Sequence, residues 1–133
     1  MSAPTVRQKT DDALESAIAL FRRGQLVAAD AQCAIVLGER PNDFEALHLL
    51  GIIRAQQGRL AEAAELMNRA IAVAPASAEA HKNLALVLVG QNRPEEAVAA
   101  LERALSIAPD YPEALFNRAN ILRRLGRHDA ALA

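Results

Sequence analysis

The amino-acid sequence predicts an all-α protein built from stacked helical hairpins, and two observations support this fold class. First, the segment AIAVAPASAEAHKNLA (70–85) returns 34 residues later as ALSIAPDYPEALFNRA (104–119), with seven of sixteen positions identical. A repeat of this length indicates an array of similar supersecondary units. Second, aromatic residues make up only 3% of the 133 residues, and alanine and leucine are abundant. This composition favours helix over strand.

Small residues and prolines recur in register with this period. The aligned columns are Pro41, Pro75 and Pro109; Gly24, Gly58, Asn92 and Gly126; Ala17, Gly51, Ala85 and Ala119; and Ala29, Ala63, Ala97 and Ala131. They define complete repeats at 10–43, 44–77 and 78–111 and a partial repeat at 112–133, preceded by a polar segment at 1–9.

Each repeat has the sequence pattern of a helical hairpin. In the third repeat, Leu84 and Leu88 are four residues apart and place an apolar stripe on a first helix. This helix is expected to end near Gly90 to Asn92, residues that suit the left-handed backbone that follows a helix, and Pro94 suits the first turn of the next one. The second helix is expected to stop before Pro109, because the residue before a proline disfavours the helical conformation.

The ends and contacts of these helices can also be predicted. Thr10, Ser77 and Asp110 are the expected N-caps of first helices, the last with Glu113 in capping-box spacing. The Ala or Gly column of the first helix is expected to face the Ala column of the second, so a bulky residue there should cost about 1–3 kcal/mol. One hairpin cannot bury its apolar face alone, and neighbouring hairpins are therefore expected to stack.

These residues resemble the tetratricopeptide repeat family, over residues 10–133. The matching positions of the second and third repeats are Leu47, Leu50, Gly51, Ala63, Met67, Ala70 and Pro75, and His81, Leu84, Ala85, Leu88, Ala97, Leu101, Ala104 and Pro109. The resemblance implies a right-handed α-solenoid of about three and a half repeat units. Pentatricopeptide repeats, which bind RNA, are of similar length, but the Ala/Gly and Pro columns favour the tetratricopeptide interpretation. Arg54, Arg118 and the small Ala13 depart from the family pattern.

Motifs for catalysis are missing from the sequence, so this segment is not expected to be an enzyme. His48, His81 and His128 are scattered without metal-ligand spacing. Cys33 lies in a core column and is expected to be a buried structural thiol. There is no Gly-rich phosphate loop, Gly-x-Ser-x-Gly elbow or paired His-Glu motif. We expect neither a metal nor another cofactor.

Charge and hydropathy limit the partners and the cellular locations that are expected for the protein. The net charge is -1, which gives no global attraction to nucleic acid or to anionic lipid, and neither is expected as a partner. The first residues lack the apolar core of a secretory signal, and a single cysteine cannot form an intramolecular disulfide. A cytoplasmic protein is expected. Arg outnumbers Lys by 13 to 2, which is typical of a GC-rich coding genome and, with the transferase resemblance described below, favours a bacterial source.

Binding of a protein or peptide is the expected function. In the family the resemblance points to, first helices line a groove that binds a peptide or partner protein. Carried over by register, the groove positions are Glu15, Ile18, Arg22, His48, Leu49, Ile52, Gln56, Lys82, Asn83, Leu86, Phe116, Asn117, Asn120 and Arg124.

Two known groove chemistries can be compared with these positions. Asn83 and Asn117 are one repeat apart and resemble part of the asparagine ladder of O-linked N-acetylglucosamine transferases, which grips the backbone of an extended peptide. Equally, asparagine can occur at both places without such a role. The carboxylate clamp of heat-shock cochaperones is not expected: Lys82 and Asn117 match two clamp members, but Leu86 replaces an Asn and Glu113 replaces a Lys.

The C-terminal sequence leaves two functions open. RLGRHDAALA reaches only six residues into the expected second helix of the fourth repeat. The segment is therefore interpreted either as a fragment of a longer chain or as an open end that self-associates. A peptide-binding scaffold without catalysis is the first hypothesis. The alternative is the N-terminal substrate-recruiting arm of a larger glycosyltransferase whose catalytic domain lies beyond residue 133, because the repeats are similar to those of bacterial transferases of this type.

Overall fold

The computed structural model describes residues 2–132, with side chains described up to residue 126. Over these residues the chain forms seven α-helices and no strand, which confirms the all-α prediction. The helices are α1 (Val6–Arg22), α2 (Leu26–Glu39), α3 (Phe44–Gln56), α4 (Leu60–Val73), α5 (Ala78–Gly90), α6 (Pro94–Ile107) and α7 (Pro112–Leu132). Two expectations lie outside the described side chains: the repeat-column residue Ala131, and His128.

The helices fall into two compact units. Unit 1, Met1–Ala74, contains α1 to α4, and unit 2, Pro75–Ala133, contains α5 to α7. Within unit 1, α1 packs on α2 and α3 packs on α4, and α3 also contacts α1 and α2. Within unit 2, α5 packs on α6, and α6 packs on α7. The short connections inside each pair are those of antiparallel helical hairpins.

The turn inside each complete hairpin depends on one left-handed residue, as predicted. The φ angles of Gly24, Gly58 and Asn92 are +76°, +77° and +60°. The residue after each of them donates its backbone N–H to a carbonyl five residues earlier, for example Arg93 N to Leu88 O at 2.9 Å. These bonds satisfy carbonyls that the helix end would otherwise leave unpaired. Pro94 then begins α6, also as predicted.

The fourth repeat does not turn at Gly126, although that glycine is in the same column. α7 continues through Gly126 to Leu132. In the complete repeats, a fourteen-residue second helix packs on the first and offsets the cost of breaking the helix. The second helix expected over the last six residues is therefore wrong for residues 128–132, which continue α7.

Short polar side chains begin α3 and α5. The Ser77 hydroxyl accepts a hydrogen bond from Ala80 N at 3.2 Å, which confirms Ser77 as an N-cap. Asp43, which the sequence analysis did not single out, accepts from Ala46 N at 2.9 Å in the equivalent position one repeat earlier. Both caps satisfy an otherwise unpaired N–H of the first helical turn.

The other two predicted N-caps are wrong. Thr10 is buried inside α1, where its hydroxyl donates to Val6 O at 2.8 Å, and the cap of α1 is Thr5. A capping box at Thr5 starts the helix earlier than the repeat pattern indicated. Asp110 lies in the turn before α7, which begins at Pro112, so the cap prediction was one residue out of register with Ser77.

Small buried columns hold each hairpin together, but not quite in the predicted pairing. Ala17, Ala29, Ala85 and Ala97 are fully buried. At Gly51, however, the nearest side chain is not the Ala63 column: an added Cβ would lie 3.0 Å from Met67 Cε. The long side chain of Met67 extends to Gly51 and fills the space that the missing Cβ leaves.

The family departures in unit 1 each have a local explanation. Arg54 Nε donates to Asp30 Oδ2 at 2.8 Å, and Arg54 Nη1 donates to Glu62 at 2.9 Å. The pKa of Arg54 is raised, mainly by the hydrogen bond to Asp30. Burial alone would lower this pKa, but its effect is smaller than that of the hydrogen bond. An arginine at this apolar place therefore joins α2, α3 and α4. The small Ala13 packs in a buried cluster with Val36 and Ala46.

The departure in unit 2 occurs on α7. Arg118 Nη2 lies 3.5 Å from Glu102 Oε1 of α6, so an ion pair replaces the expected apolar contact. Ala119, in the same column as the buried Ala85, is exposed.

Candidate functional site

The first helices of unit 2, α5 and α7, are bridged by an ion pair that includes the predicted groove residue Lys82. Lys82 Nζ of α5 donates to Glu113 Oε2 of α7 at 2.9 Å. The same ammonium group lies 5.9 Å from the centre of the Tyr111 ring, within cation–π range. Glu113 was expected as a capping residue of α7, but the structure shows its carboxylate paired with Lys82. The pair defines one end of a face made by α5 and α7, which we call the α5/α7 face.

The charge on Lys82 is stabilised despite partial burial. Burial alone would lower the pKa of Lys82, but the hydrogen bond to Glu113 and the nearby Tyr111 and Glu79 together raise it. Lys82 is 12% exposed and Glu113 is 68% exposed, so the carboxylate covers the ammonium from the solvent side. A ligand carboxylate approaching Lys82 would therefore meet the negative charge of Glu113 first.

Apolar and amide side chains are interleaved along this face. Leu86 of α5 and Phe116 of α7 are 47% and 67% exposed. Asn83, Asn117 and Asn120 are half-buried. An exposed apolar pair flanked by amides can bury the side chains of a ligand and hydrogen-bond its backbone.

A cavity of about 470 Å³ lies among the end of α5, the start of α6 and the middle of α7, and the predicted groove residue Arg124 lines it. The other lining residues were not predicted as groove positions; they are Val89, Asn92, Pro94, Glu95, Ile121 and Leu125. Helical spacing carried a signal for three of them: Val89 follows Leu86 by three residues, and Ile121 and Leu125 are four apart. The cavity has an apolar wall with Glu95 and Arg124 as opposite charges.

The predicted groove residues of unit 1 range from exposed to buried. Glu15, Arg22 and Gln56 are exposed, while Ile18, Leu49 and Ile52 are half-buried. His48 is only 9% exposed, and its ring stacks on Phe44 with centroids 5.3 Å apart. Most of the His48 ring is therefore held within unit 1 rather than presented to a ligand.

Cys33 is fully buried, as expected for a structural thiol. Burial, followed by the nearby Asp30 charge, raises the pKa of Cys33 to about 11, so the thiol stays protonated near neutral pH. Among the residues whose side chains are described, no group of three or more His, Cys, Asp or Glu could hold a metal ion. None of the helices in the described part of the chain is both long and apolar enough to span a bilayer.

Comparison with protein families gives a match over almost the whole chain. A family model described as "Tetratricopeptide repeat" matches residues 7–81, 48–112 and 82–133. The three overlapping matches reflect the internal repetition seen in the sequence. No curated protein matches the chain significantly.

Solved structures of several proteins share the fold. An O-GlcNAc transferase of Thermobaculum terrenum superposes with a TM-score of 0.84 at 33% identity, covering 91% of this chain and 23% of the transferase chain. The first such repeat domain of Spaghetti (RPAP3), bound to an HSP90 peptide, gives 0.86 at 20% identity, covering 90% and 94%. MamA of Desulfovibrio magneticus RS-1 gives 0.84 at 24% identity, covering 92% and 70%. The last two are similar in fold alone. The chain thus spans about a quarter of the transferase it matches.

Proposed function

Since the chain belongs to the tetratricopeptide repeat family, we propose that it is a protein-interaction scaffold that binds an extended peptide on the α5/α7 face of unit 2. Repeats of this family generally mediate protein–protein interaction. The observation that carries the proposal is the exposure of Leu86 on α5 and Phe116 on α7. These two helices also carry the half-buried Asn83, Asn117 and Asn120, and the Lys82–Glu113 ion pair joins them.

The proposed chemistry uses two kinds of contact. Asn83 and Asn117 occupy equivalent positions one repeat apart, and each amide offers a donor and an acceptor to the backbone of an extended chain. Phe116 and Leu86 bury apolar side chains of the peptide, and burial of apolar area supplies most of the affinity. The Lys82–Glu113 pair closes one end of the face to C-terminal carboxylates.

Selection from a displayed library of random linear peptides on the immobilised full chain tests this proposal. We expect enriched peptides whose binding is lost in Phe116→Ala but kept in Val73→Ala, a matched change at an exposed apolar residue of α4. Peptides whose binding survives both Phe116→Ala and Leu86→Ala would place the site elsewhere and overturn the proposal.

A second candidate function follows from one specific likeness. The 33% identity to the O-GlcNAc transferase of T. terrenum, over 91% of this chain, supports a substrate-recruiting arm of a larger glycosyltransferase. The intact mass of the native protein and its sugar-nucleotide-dependent activity test this candidate. A mass well above 14.3 kDa, with transferase activity that is lost when residues 1–133 are deleted, would support it. A native mass of 14.3 kDa would exclude it.

The open face of α7 supports a further proposed contact, which is self-association. Leu115 and Leu122 are 46% and 42% exposed, and Ala119 is also exposed. Their register equivalents are buried in the hairpin where α5 packs on α6: His81, Ala85 and Leu88. Sedimentation of Leu122→Glu against the unaltered chain tests whether this face joins two copies.

The remaining proposals concern surroundings. We propose that the scaffold is cytoplasmic. We also propose that neither nucleic acid nor a membrane is a partner, because a net charge of -1 gives no general attraction to either. Cell fractionation with an antibody to this segment checks the location, and gel-shift and vesicle-flotation assays check the two excluded partners.

A further inference from the structure

The outward face of α2 is an exposed surface without charged residues. Its members follow one another at helical spacing i, i+4, i+7, i+8 and i+11, and all are exposed: Val27, Ala31, Ala34, Ile35 and Gly38. Val27 and Ile35 are 80% and 51% exposed. Only two of the fourteen α2 residues are charged, Asp30 and Glu39, and Asp30 is paired with Arg54. We call these five residues the α2 face.

Two of the five α2-face positions are polar or charged in both of the other second helices. Where α2 has Ala34 and Ile35, α4 has Asn68 and Arg69, and α6 has Glu102 and Arg103. Those residues are the ordinary solvent side of an amphipathic helix. Ile35 is 51% exposed and aligns with an arginine in both counterparts, and Val27 is 80% exposed and aligns with Ala61 and Glu95. Large exposed apolar residues grouped on one helix face are typical of an interaction surface.

The composition of the α2 face fits another helix. Its alanines and glycine have small side chains, so the backbone of a partner helix can approach closely. Val27 and Ile35 can then fill the grooves between the side chains of the partner helix. Lys9 and Asp12 of α1 line a pocket with Ile35 and lie at the border of the face. None of the five α2-face residues is charged, so two such faces can pack together without burying a charge of their own. The face is therefore complementary to itself.

Charges at the two ends of α2 favour an antiparallel arrangement of two copies. Arg23 lies in the turn before α2, and Glu39 is its last residue. Both are exposed, and neither forms an ion pair with any side chain that the structure describes. Glu39 lies at the negative end of the helix dipole, where a nearby cation would be favourable. An antiparallel pairing about a two-fold axis would bring Arg23 of each copy to Glu39 of the other.

We propose that the α2 face is a homodimer interface, in which α2 packs antiparallel on α2 of a second copy and Arg23 pairs with Glu39 across the two-fold axis. A fourteen-residue helix is about 21 Å long, so its single face buries less than the roughly 800 Å² per partner of a standard interface. The dimer is therefore weak and reversible. This inference is independent of the peptide site, because it uses a different unit and different residues.

Sedimentation velocity of the full chain, from roughly 10 μM to 1 mM, tests the proposal. The unaltered chain should shift from monomer to dimer within this range. Val27→Glu and Ile35→Glu should each raise the dissociation constant by roughly tenfold or more. The matched control is Ala61→Glu, at the exposed α4 position equivalent to Val27, and should dimerise normally. Thermal melts identify any variant that does not fold.

A charge reversal makes the test specific for the antiparallel arrangement. Arg23→Glu alone and Glu39→Arg alone should each weaken the dimer, because each places like charges together across the axis. The double variant restores opposite charges and should recover dimerisation. A chain that remains monomeric at the highest concentration overturns the proposal. So does a dimer that is insensitive to Ile35→Glu, including one that only Leu122→Glu on α7 disrupts.

Discussion

Met67 Cε lies 3.0 Å from the place where a Cβ on Gly51 would sit, with Met67 Sδ at 3.2 Å. Met67 is 1% exposed, so its side chain has little room to withdraw. The glycine of α3 and the methionine of α4 thus form one packing unit. The equivalent positions in the third repeat are the buried Ala85 and Leu101. There the alanine Cβ occupies part of the space between the helices, and the leucine is shorter than methionine.

Enlarging residue 51 should destabilise unit 1. Gly51→Val is expected to lower the free energy of unfolding by about 1–3 kcal/mol through overpacking against Met67. The double variant Gly51→Ala with Met67→Leu copies the third-repeat pair Ala85 and Leu101. It should be about as stable as the unaltered chain, because the shorter leucine leaves room for the alanine Cβ and alanine has a better helix propensity than glycine. Urea denaturation measures both variants. Equal stability of Gly51→Val and the unaltered chain would show that Met67 adapts freely.

Arg54 should contribute to stability through Asp30. Their side chains are 19% and 21% exposed, and the guanidinium makes two hydrogen bonds to the carboxylate. Arg54→Ala should cost roughly 1–3 kcal/mol, since it leaves a half-buried carboxylate without its partner. Arg93→Ala, which breaks the exposed pair with Glu96, is the control and should change stability little. Chemical denaturation compares the two, and a result in which both variants match the unaltered chain would contradict a structural role for Arg54.

Cys33 should resist thiol reagents in the folded protein. At pH 9 about half of an ordinary thiol with a pKa of 9.0 is ionised, but only about 1% of a thiol whose pKa is raised to about 11. Because the folded pKa is raised, the protonated thiol stabilises the fold fully below pH 9.0, and this contribution is lost as the pH rises toward 11. Labelling with a disulfide reagent should therefore follow the rate of unfolding, and rapid labelling of native protein would show that Cys33 is accessible.

Peptides with an acidic C-terminus should not bind in the micromolar range. Glu113 is paired with Lys82 and stands in the way of an incoming carboxylate. Fluorescence anisotropy with a labelled peptide ending in acidic residues checks this, against the same peptide with a C-terminal amide. Micromolar binding that requires the free carboxylate would show that the Lys82–Glu113 pair opens for a ligand.

Features set by local backbone conformation could be predicted from the sequence. Gly24, Gly58 and Asn92 adopt the left-handed conformation that their residue types indicated, and Ser77 caps α5. Gly126 shows the limit of local reasoning, because it lies within α7 although it shares a repeat column with Gly24 and Gly58. No residue-type signal at Gly126 itself distinguishes it from Gly24 or Gly58.

Contacts between columns of the repeat could not be predicted. Lys82 and Glu113 are 31 residues apart, and Arg54 and Asp30 are 24 apart, so neither pair follows the 34-residue register. These pairs depend on how one helix lies against the next. The burial of His48 against Phe44 likewise depends on packing within unit 1 rather than on the groove register that singled it out.

The central claim, that the α5/α7 face binds an extended peptide, is tested most directly by calorimetric titration of a selected peptide into three proteins. These are the unaltered chain, the double variant Asn83→Ala with Asn117→Ala, and the control Asn68→Ala on the exposed side of α4. We predict that the double variant weakens binding by roughly tenfold or more without lowering the melting temperature, and that the control binds normally. An unchanged affinity in the double variant would contradict the account.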